Sequence, residues 1–482
     1  MGMKSTFATI AVALTVAALV MPVPAEAAPR MLYVDNTDGS GCSDVGRGTQ
    51  QQPFCTIQVA ADTVVPGTTV DITGEYQESV TVGRSGTPRA PIVFQSENRN
   101  FTWVDGTSGG PAFTMHGVHD VVIRALSIAG GSVDHDAIFI TGSQRVIVDS
   151  NALSIPSPEA QGSVVRVTGA SRSITVSRNL IDSSYGYAAI RIDSAGVGNV
   201  VSANDISGGG NTGVRVADSP AAAVTGNTVI HSCNRGVEVT GRSSGASVQN
   251  NIFAYVFGSE VYYHCPPSTE ITEISVDSAA VASGITVDFN IVFPYSENPP
   301  YRWAGRGFQS TADFTAATGQ GRHDLNVDPG FTFGGGPALA EGSPAIDSAN
   351  AQAPGQLQTD VYYWDTRVDD PLVANTGTNP GYHDRGAWEF QDPFSLWFEA
   401  SDPTGPRLNM ITMTAHLEEN AWSSGLTYTY DFGDGSPPVS TPATTYLHTY
   451  TAPGEYVINV SYAATSGRKG TTSLPVTIGP HS

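Results

Sequence analysis

Three arginines of this chain recur on one register. The segments VVRVTG from Val164, AIRIDS from Ala189 and GVRVAD from Gly213 place Arg166, Arg191 and Arg215 at the same point of a repeated strand pattern. Phe139 precedes them in AIFITG and Glu238 follows in GVEVTG. Each arginine is flanked by two apolar residues, such as Ile190 and Ile192, so it faces away from whatever those bury. Guanidinium groups stacked at the inter-strand spacing of about 4.8 Å repel one another. Their forked donors suit carboxylate or sulfate groups along an acidic sugar chain. The predicted glycan-binding column is therefore Arg166, Arg191, Arg215, Tyr187 and Phe139. Arg191, with a cation on either side, is expected to matter most. If the column is catalytic, Arg191, Arg215, Asp193 and Glu238 are the candidates. Asp193 and Asp218 lie near the strand ends, and Asp134, His135, Asp136, Tyr185 and Tyr187 stand in the turns leading in. The competing reading is a solvated face whose charges those neighbours balance, because exposed ion pairs are common and weak.

The strands that would carry this column belong to a repeat of roughly two dozen residues running from Asp120 to Val292. Lines such as RVIVDSNAL from Arg145, SITVSRNLI from Ser173 and ASVQNNIF from Ala246 end in Asn followed by an apolar residue. The asparagines are Asn151, Asn179, Asn204, Asn227, Asn251 and Asn290, at spacings of 28, 25, 23, 24 and 39, and Leu126 takes the same position one line earlier. Period-two alternation recurring at a longer fixed interval marks a solenoid of strands, because one coil alone cannot bury its apolar face. An Asn at such a turn tolerates the left-handed conformation, and stacked amides can bond each other as a ladder. Propeller blades need a longer period, near 40–45 residues.

These short strands and the inward Asn ladder resemble a right-handed parallel β-helix, the fold of pectate-lyase-like proteins. The stretch from Gln52 to Phe94, PFCTIQVAADTVVPGTTVDITGEYQESV and onward, resembles the entrance of many secreted β-helix proteins. Within it, Thr56 to Val64 has apolar residues at helical spacing and is expected to cap the open coil end. WAGRGFQSTADF, GSPAIDSAN and HDRGAWEF resemble a C-terminal segment often called a choice-of-anchor region, which implies a finished C-terminal end of the solenoid. His323, Asp324, Asp328, Asp347, Asp384 and Arg385 in that segment read as loop-fixing hydrogen-bonders and not as a metal site. YDFGDGS from Tyr430, HTY from His448 and PGEYVINV from Pro453 resemble a PKD domain, an immunoglobulin-like β-sandwich. In it, Asp431 and Asp434 are expected to fix a hairpin turn.

The expected organisation is a signal peptide over 1–27, the β-helix over 28–296, the choice-of-anchor-like segment over 297–392 and the PKD domain over 393–482. Lys4, the apolar run Phe7 to Val20 and Ala25-Glu26-Ala27 form the export signal, so a secreted, extracellular protein is expected. Export makes disulfides plausible, and four cysteines allow three pairings. Cys42 with Cys55 and Cys233 with Cys265 are favoured, with a buried thiol at Cys233 as the alternative. The stretch from Tyr255 to Ser283 reads as an insertion whose Tyr262, Tyr263 and His264 either line a sugar groove or pack onto the coil.

A net charge of −22 argues against nucleic acid and anionic membrane as partners of the whole surface. After signal cleavage no membrane partner is expected, and a monomer is. The β-helix resemblance implies lyases and hydrolases of acidic polysaccharides. A lyase needs a base for the proton α to a uronate carboxylate and a cation for the charge that develops. The resembled lysine base with calcium is excluded, because the two lysines are Lys4 and Lys469, outside the solenoid. The repeats show no aspartate cluster for hydrolysis. No cofactor is expected, and no motif supports calcium. The function read here is binding of an acidic extracellular or cell-wall polysaccharide. The alternatives are an arginine-assisted polysaccharide lyase and a structural surface or adhesion protein.

Overall fold

The computed structural model describes residues 30–478 except 98–101, 108–109, 131–135, 156–160, 183–185, 209, 257–264, 266–270, 296, 333–335, 364, 367, 371, 379–381, 392–395, 402–409, 418–424 and 466–468. The signal sequence and Asp134, His135, Tyr185, Tyr262, Tyr263 and His264 lie outside the described residues.

The repeat folds as a parallel β-helix. Each coil contributes three short strands, because the alternation of buried β-branched residues is broken twice per repeat by a turn. A ten-stranded sheet holds the segments Ile138–Thr141, Ser163–Thr168, Ala188–Asp193, Thr212–Ala217 and Arg235–Thr240 in parallel order. An 18-stranded ribbon forms the other two faces, joined round a corner by Thr68–Gln77, which pairs with strands of both. Inside run unbroken columns of Val and Ile, all buried. One column is Ile138, Val165, Ile190, Val214, Val237 and Ile274.

The asparagine ladder stands at one corner, fully buried at every step from Asn151 to Asn290. The Oδ1 of each asparagine accepts the backbone N–H and the Nδ2 of the one before it, as Asn204 does from Asn179 at 3.1 and 2.9 Å. Leu126 closes one end, its N–H donating to Asn151. The asparagines are not the left-handed residues, as the sequence led us to expect. That conformation falls on the residue before each: Ala125, Ser150, Arg178, Ala203, Gly226, Asn250 and Phe289 have φ between 52° and 62°. The left-handed residue turns the chain and leaves the next side chain pointing inward, where the amide satisfies the backbone groups the turn has freed.

The ends are covered. The helix Ile57–Thr63 buries Ile57, Ala60 and Ala61 at the start. At the far end the strand Arg306–Phe308 pairs antiparallel with Tyr301–Trp303, and the helix Thr311–Thr318 stacks Phe314 on Tyr301 at 4.2 Å. Asp324 ends the ladder by accepting the Asn290 N–H at 2.6 Å.

Two expectations change. The insertion after Asn251 is shorter than Tyr255 to Ser283, because Thr272–Val276 is a regular rung that pairs with Arg235–Thr240 on one side and Tyr301–Trp303 on the other. The segment 297–392 finishes the solenoid only as far as Leu325, which pairs in parallel with Ile291. Beyond it the chain returns along the flank of the coils. Gly386 donates to Asn250 O, Ala387 to Thr228, Trp388 to Asp205, and Ser202 to Gly355 O. It reaches back to Arg178, which bonds Asp149 and Thr359 and lies 4.4 Å under the Tyr363 ring. His323 bonds Asp288, Asp347 N–H donates to Asp384, and the buried Arg385 donates to Ser348 O and Asn290 O. These are the loop-fixing roles expected of them.

The C-terminal residues form a β-sandwich of three and four antiparallel strands around Tyr428, Tyr430, Phe432, Tyr450, Ile458 and Val460. Asp431 accepts the Gly433 N–H and Asp434 the Ser436 N–H, and these two bonds fix the hairpin. Both favoured disulfides are present, Cys42–Cys55 and Cys233–Cys265. The first closes a short loop and is worth about 3 kcal/mol in the chain-entropy picture. Non-reducing peptide mapping should recover these two cross-linked peptides, and a Cys42→Ser/Cys55→Ser double variant should lose roughly that amount in chemical denaturation. Free thiols at both positions in oxidised material would contradict it.

Candidate functional site

The outward column of the ten-stranded sheet reads Thr114, Phe139, Arg166, Arg191, Arg215, Glu238 and Ser275 in consecutive rungs. The register follows from the inward Val and Ile, since a slip of one residue would bury the arginines. Phe139, Arg166, Arg191, Arg215 and Glu238 thus come together as expected.

The expected repulsion between the guanidinium groups is relieved by interleaved carboxylates. Arg191 donates through Nε to Asp193 on its own strand. Arg215 is held at three points, Nη1 to Asp193 at 2.5 Å, Nε to Glu238 at 2.8 Å and Nη2 to Thr240 at 3.4 Å. Arg235 lies 3.5 Å from the other Glu238 oxygen. Burial opposes the charge on Arg215, but Asp193, Tyr187 and Glu238 outweigh it and raise the pKa further. Arg166 is different. Among the described residues its closest carboxylate, Asp136, is 4.0 Å from Nη1, and its Nε is buried without a hydrogen-bond partner.

Aromatic rings lie along the same line. Tyr187 covers Arg191 at 4.5 Å and Arg215 at 5.7 Å, and Phe139 lies 5.7 Å from Arg166. Such contacts hold the planar cations flat against the sheet. Asp218 accepts the Arg242 N–H and is not part of this network. Asp193 and Glu238 are both committed to guanidinium groups, which does not suit either to serve as a free base.

Sequence reasoning missed a second polar site. The returning segment encloses a crevice against the coils, lined by Ser202, Gly226, Gln356, Asp360, Asp384 and Glu389. Burial pushes the Asp384 and Glu389 carboxyls well above their usual range. Asp205, under the Trp388 indole, is pushed up to about 7 by burial. No spacing in the sequence joins the two sides of this crevice, because the coil residues meet the returning segment across more than a hundred positions. A ladder of serines, Ser143, Ser171, Ser219 and Ser243, was missed too. Serine is too common for its spacing to stand out.

Residues 395–476 match the PKD domain family, and residues 82–264 match the family described as periplasmic copper-binding protein (NosD). The chain is a parallel β-helix protein that carries a PKD domain. It is 34% identical over 133 residues to the uncharacterized protein YwoF of Bacillus subtilis, a match covering 23% of this chain and 28% of that protein. It therefore spans less than a third of that relative's length. Among solved structures, pectate lyase Pel9A is 11% identical at a TM-score of 0.39, over 75% of this chain and 96% of that one. A rhamnogalacturonan lyase is 12% identical at 0.37, over 65% and 90%.

The copper of the second family's description finds no fitting ligand set among the described residues. Copper sites draw on imidazole, thiolate and thioether groups. Here Cys233 is in a disulfide, Met115 is buried in the coil interior and His119 is paired with Asp120. No three His, Cys, Asp or Glu side chains among the described residues are placed to hold a metal. Among them, too, no helix is long and apolar enough to cross a membrane.

Proposed function

We propose that this protein is exported and binds an extracellular or cell-wall polysaccharide of acidic character along the outer face of its ten-stranded sheet. The observation that carries this reading is the in-register column of Phe139, Arg166, Arg191 and Arg215, flanked by Tyr187. Rings that present a flat apolar face beside forked donors match the two surfaces of an acidic sugar, its C–H face and its carboxylate. An extended ligand would run along the solenoid axis and meet one rung after another. The PKD domain then serves as a spacer or accessory module. Binding, not elimination, is the favoured activity, because Asp193 and Glu238 beside the column are held by arginine.

The test is titration of the mature chain with a panel of acidic and neutral polysaccharides at two salt concentrations, with ultraviolet absorbance followed in parallel. Saturable binding to acidic members, weakened by salt as screening shortens to about 8 Å at physiological ionic strength, is the expected outcome. No unsaturated product should accumulate. Failure of every glycan to bind would retire the reading, and steady release of an unsaturated sugar would replace it with the lyase.

A further inference from the structure

We infer that the column reads a single anionic group, clamped between Arg166 and Arg191 and flanked by neutral sugar rings. The ligand is then a heteropolysaccharide with isolated acidic groups and not a homopolymer of uronates. This deepens the binding reading above and rests on it.

Three observations carry the inference. The first is how far each guanidinium is already engaged. Arg215 has all three nitrogens occupied, by Asp193, Glu238 and Thr240. Among the described residues Arg191 gives only Nε, to Asp193, which leaves its terminal fork for a ligand. Arg166 makes no hydrogen bond within the column, and its Asp136 neighbour stands off at 4.0 Å. Donor capacity therefore falls along the column from Arg166 to Arg215. The free forks sit on adjacent rungs about 4.8 Å apart, close enough to share one carboxylate or sulfate.

The second is charge. Asp193 and Glu238 already match the charges of Arg191 and Arg215, whereas Asp136 stands 4.0 Å from Arg166. A chain with an anion on every sugar would place its further charges beside Glu238, where like charges repel. The third is the placing of the rings. Phe139 lies one rung before Arg166, and Tyr187 covers Arg191. Each offers a platform for a sugar on either side of the clamp. The exposures agree, with the Arg166 side chain 36% accessible against 18% for Arg215.

In this arrangement Arg166 is the residue that sets specificity, and Asp193 is a positioning residue that fixes Arg191 through Nε while bridging to Arg215. The expectation that Arg191 matters most is thereby revised in favour of Arg166.

The experiment measures affinity of the mature chain for hyaluronan, which alternates a uronate with a neutral N-acetylated sugar, and for polygalacturonate and alginate, at several salt concentrations. Expected is tighter binding to the alternating polymer, with log affinity falling against log salt at a slope of magnitude about one, the signature of a single released counterion. Arg166→Gln should weaken binding at least tenfold with an unchanged melting temperature, and Arg166→Lys should restore part of it, since a point charge lacks the fork. Tyr187→Ala should weaken binding to the alternating polymer as well. Polyuronates bound more tightly with a slope near three, or full affinity retained by Arg166→Gln, would overturn the single-anion clamp while leaving glycan binding in place. No binding to any of the three by the wild type would instead remove the reading on which the clamp rests.

Discussion

Replacing Asn204 with Leu should be the most destabilising single change in the solenoid. The Asn204 amide accepts from Asn179 N and Nδ2 and donates to Asn227 Oδ1, Val176 O and Ser202 O, with every partner inside the coil. Leucine keeps the branched heavy-atom skeleton, so the change chiefly removes hydrogen bonds. Two buried donors on Asn179 are left without their acceptor, and each such group costs about 1–3 kcal/mol. A loss of roughly 2–6 kcal/mol in chemical denaturation follows, with the cooperative transition moved to lower denaturant. The same change at Asn290 should cost a similar amount, because the N–H and Nδ2 of Asn251 both donate to its Oδ1. A loss below about 1 kcal/mol at Asn204 would mean that the ladder accompanies the turn without holding it.

The second large effect is on pH. Asp205, Asp324 and Asp347 are pushed up to about 7, and Glu273 to about 8, in each case mainly by burial. In the unfolded chain these carboxyls titrate near pH 4. Between those values the folded protein keeps protons that the unfolded chain has released. Stability therefore falls as pH rises from about 4 to about 8 and levels off above. Two groups act the other way. Asp434 sits at about 2, because hydrogen bonds from Ser436 and His448 outweigh its burial, and Arg145 lowers Asp120. Their contribution is present above pH 4 and is lost on further acidification. The melting temperature should thus be highest near pH 4–5 and decline towards pH 8. Asp205→Asn should flatten part of that decline, since an amide still accepts the Trp388 N–H without ionising. A melting temperature that is level or rising from pH 5 to 8 would refute the account.

The sequence by itself determined the parts of this protein that repeat. Inward Val and Ile at period two, returning every two dozen residues with an Asn at the corner, leave one way to bury that face. Columns such as Ile190 over Val214, the Asn ladder and the shared register of Arg166, Arg191 and Arg215 were therefore legible before any coordinates. Local turn chemistry made the sandwich hairpin legible in the same way, through Asp431 and Asp434. The rung at Thr272–Val276 was hidden, because a long connection had broken the period on which its recognition depended.

Only the tertiary structure decided what those side chains have left to offer. Repetition places three arginines in a row, but whether each is free depends on carboxylates that arrive from the same strand, as Asp193 does, or from the next, as Glu238 does. The return of the chain beyond Leu325 along the flank was likewise invisible. It is held by single hydrogen bonds, such as that from Trp388 to Asp205, between residues 183 positions apart. No period or motif encodes such a contact. It exists because burial drives the indole and carboxyl together, and a buried donor must find an acceptor.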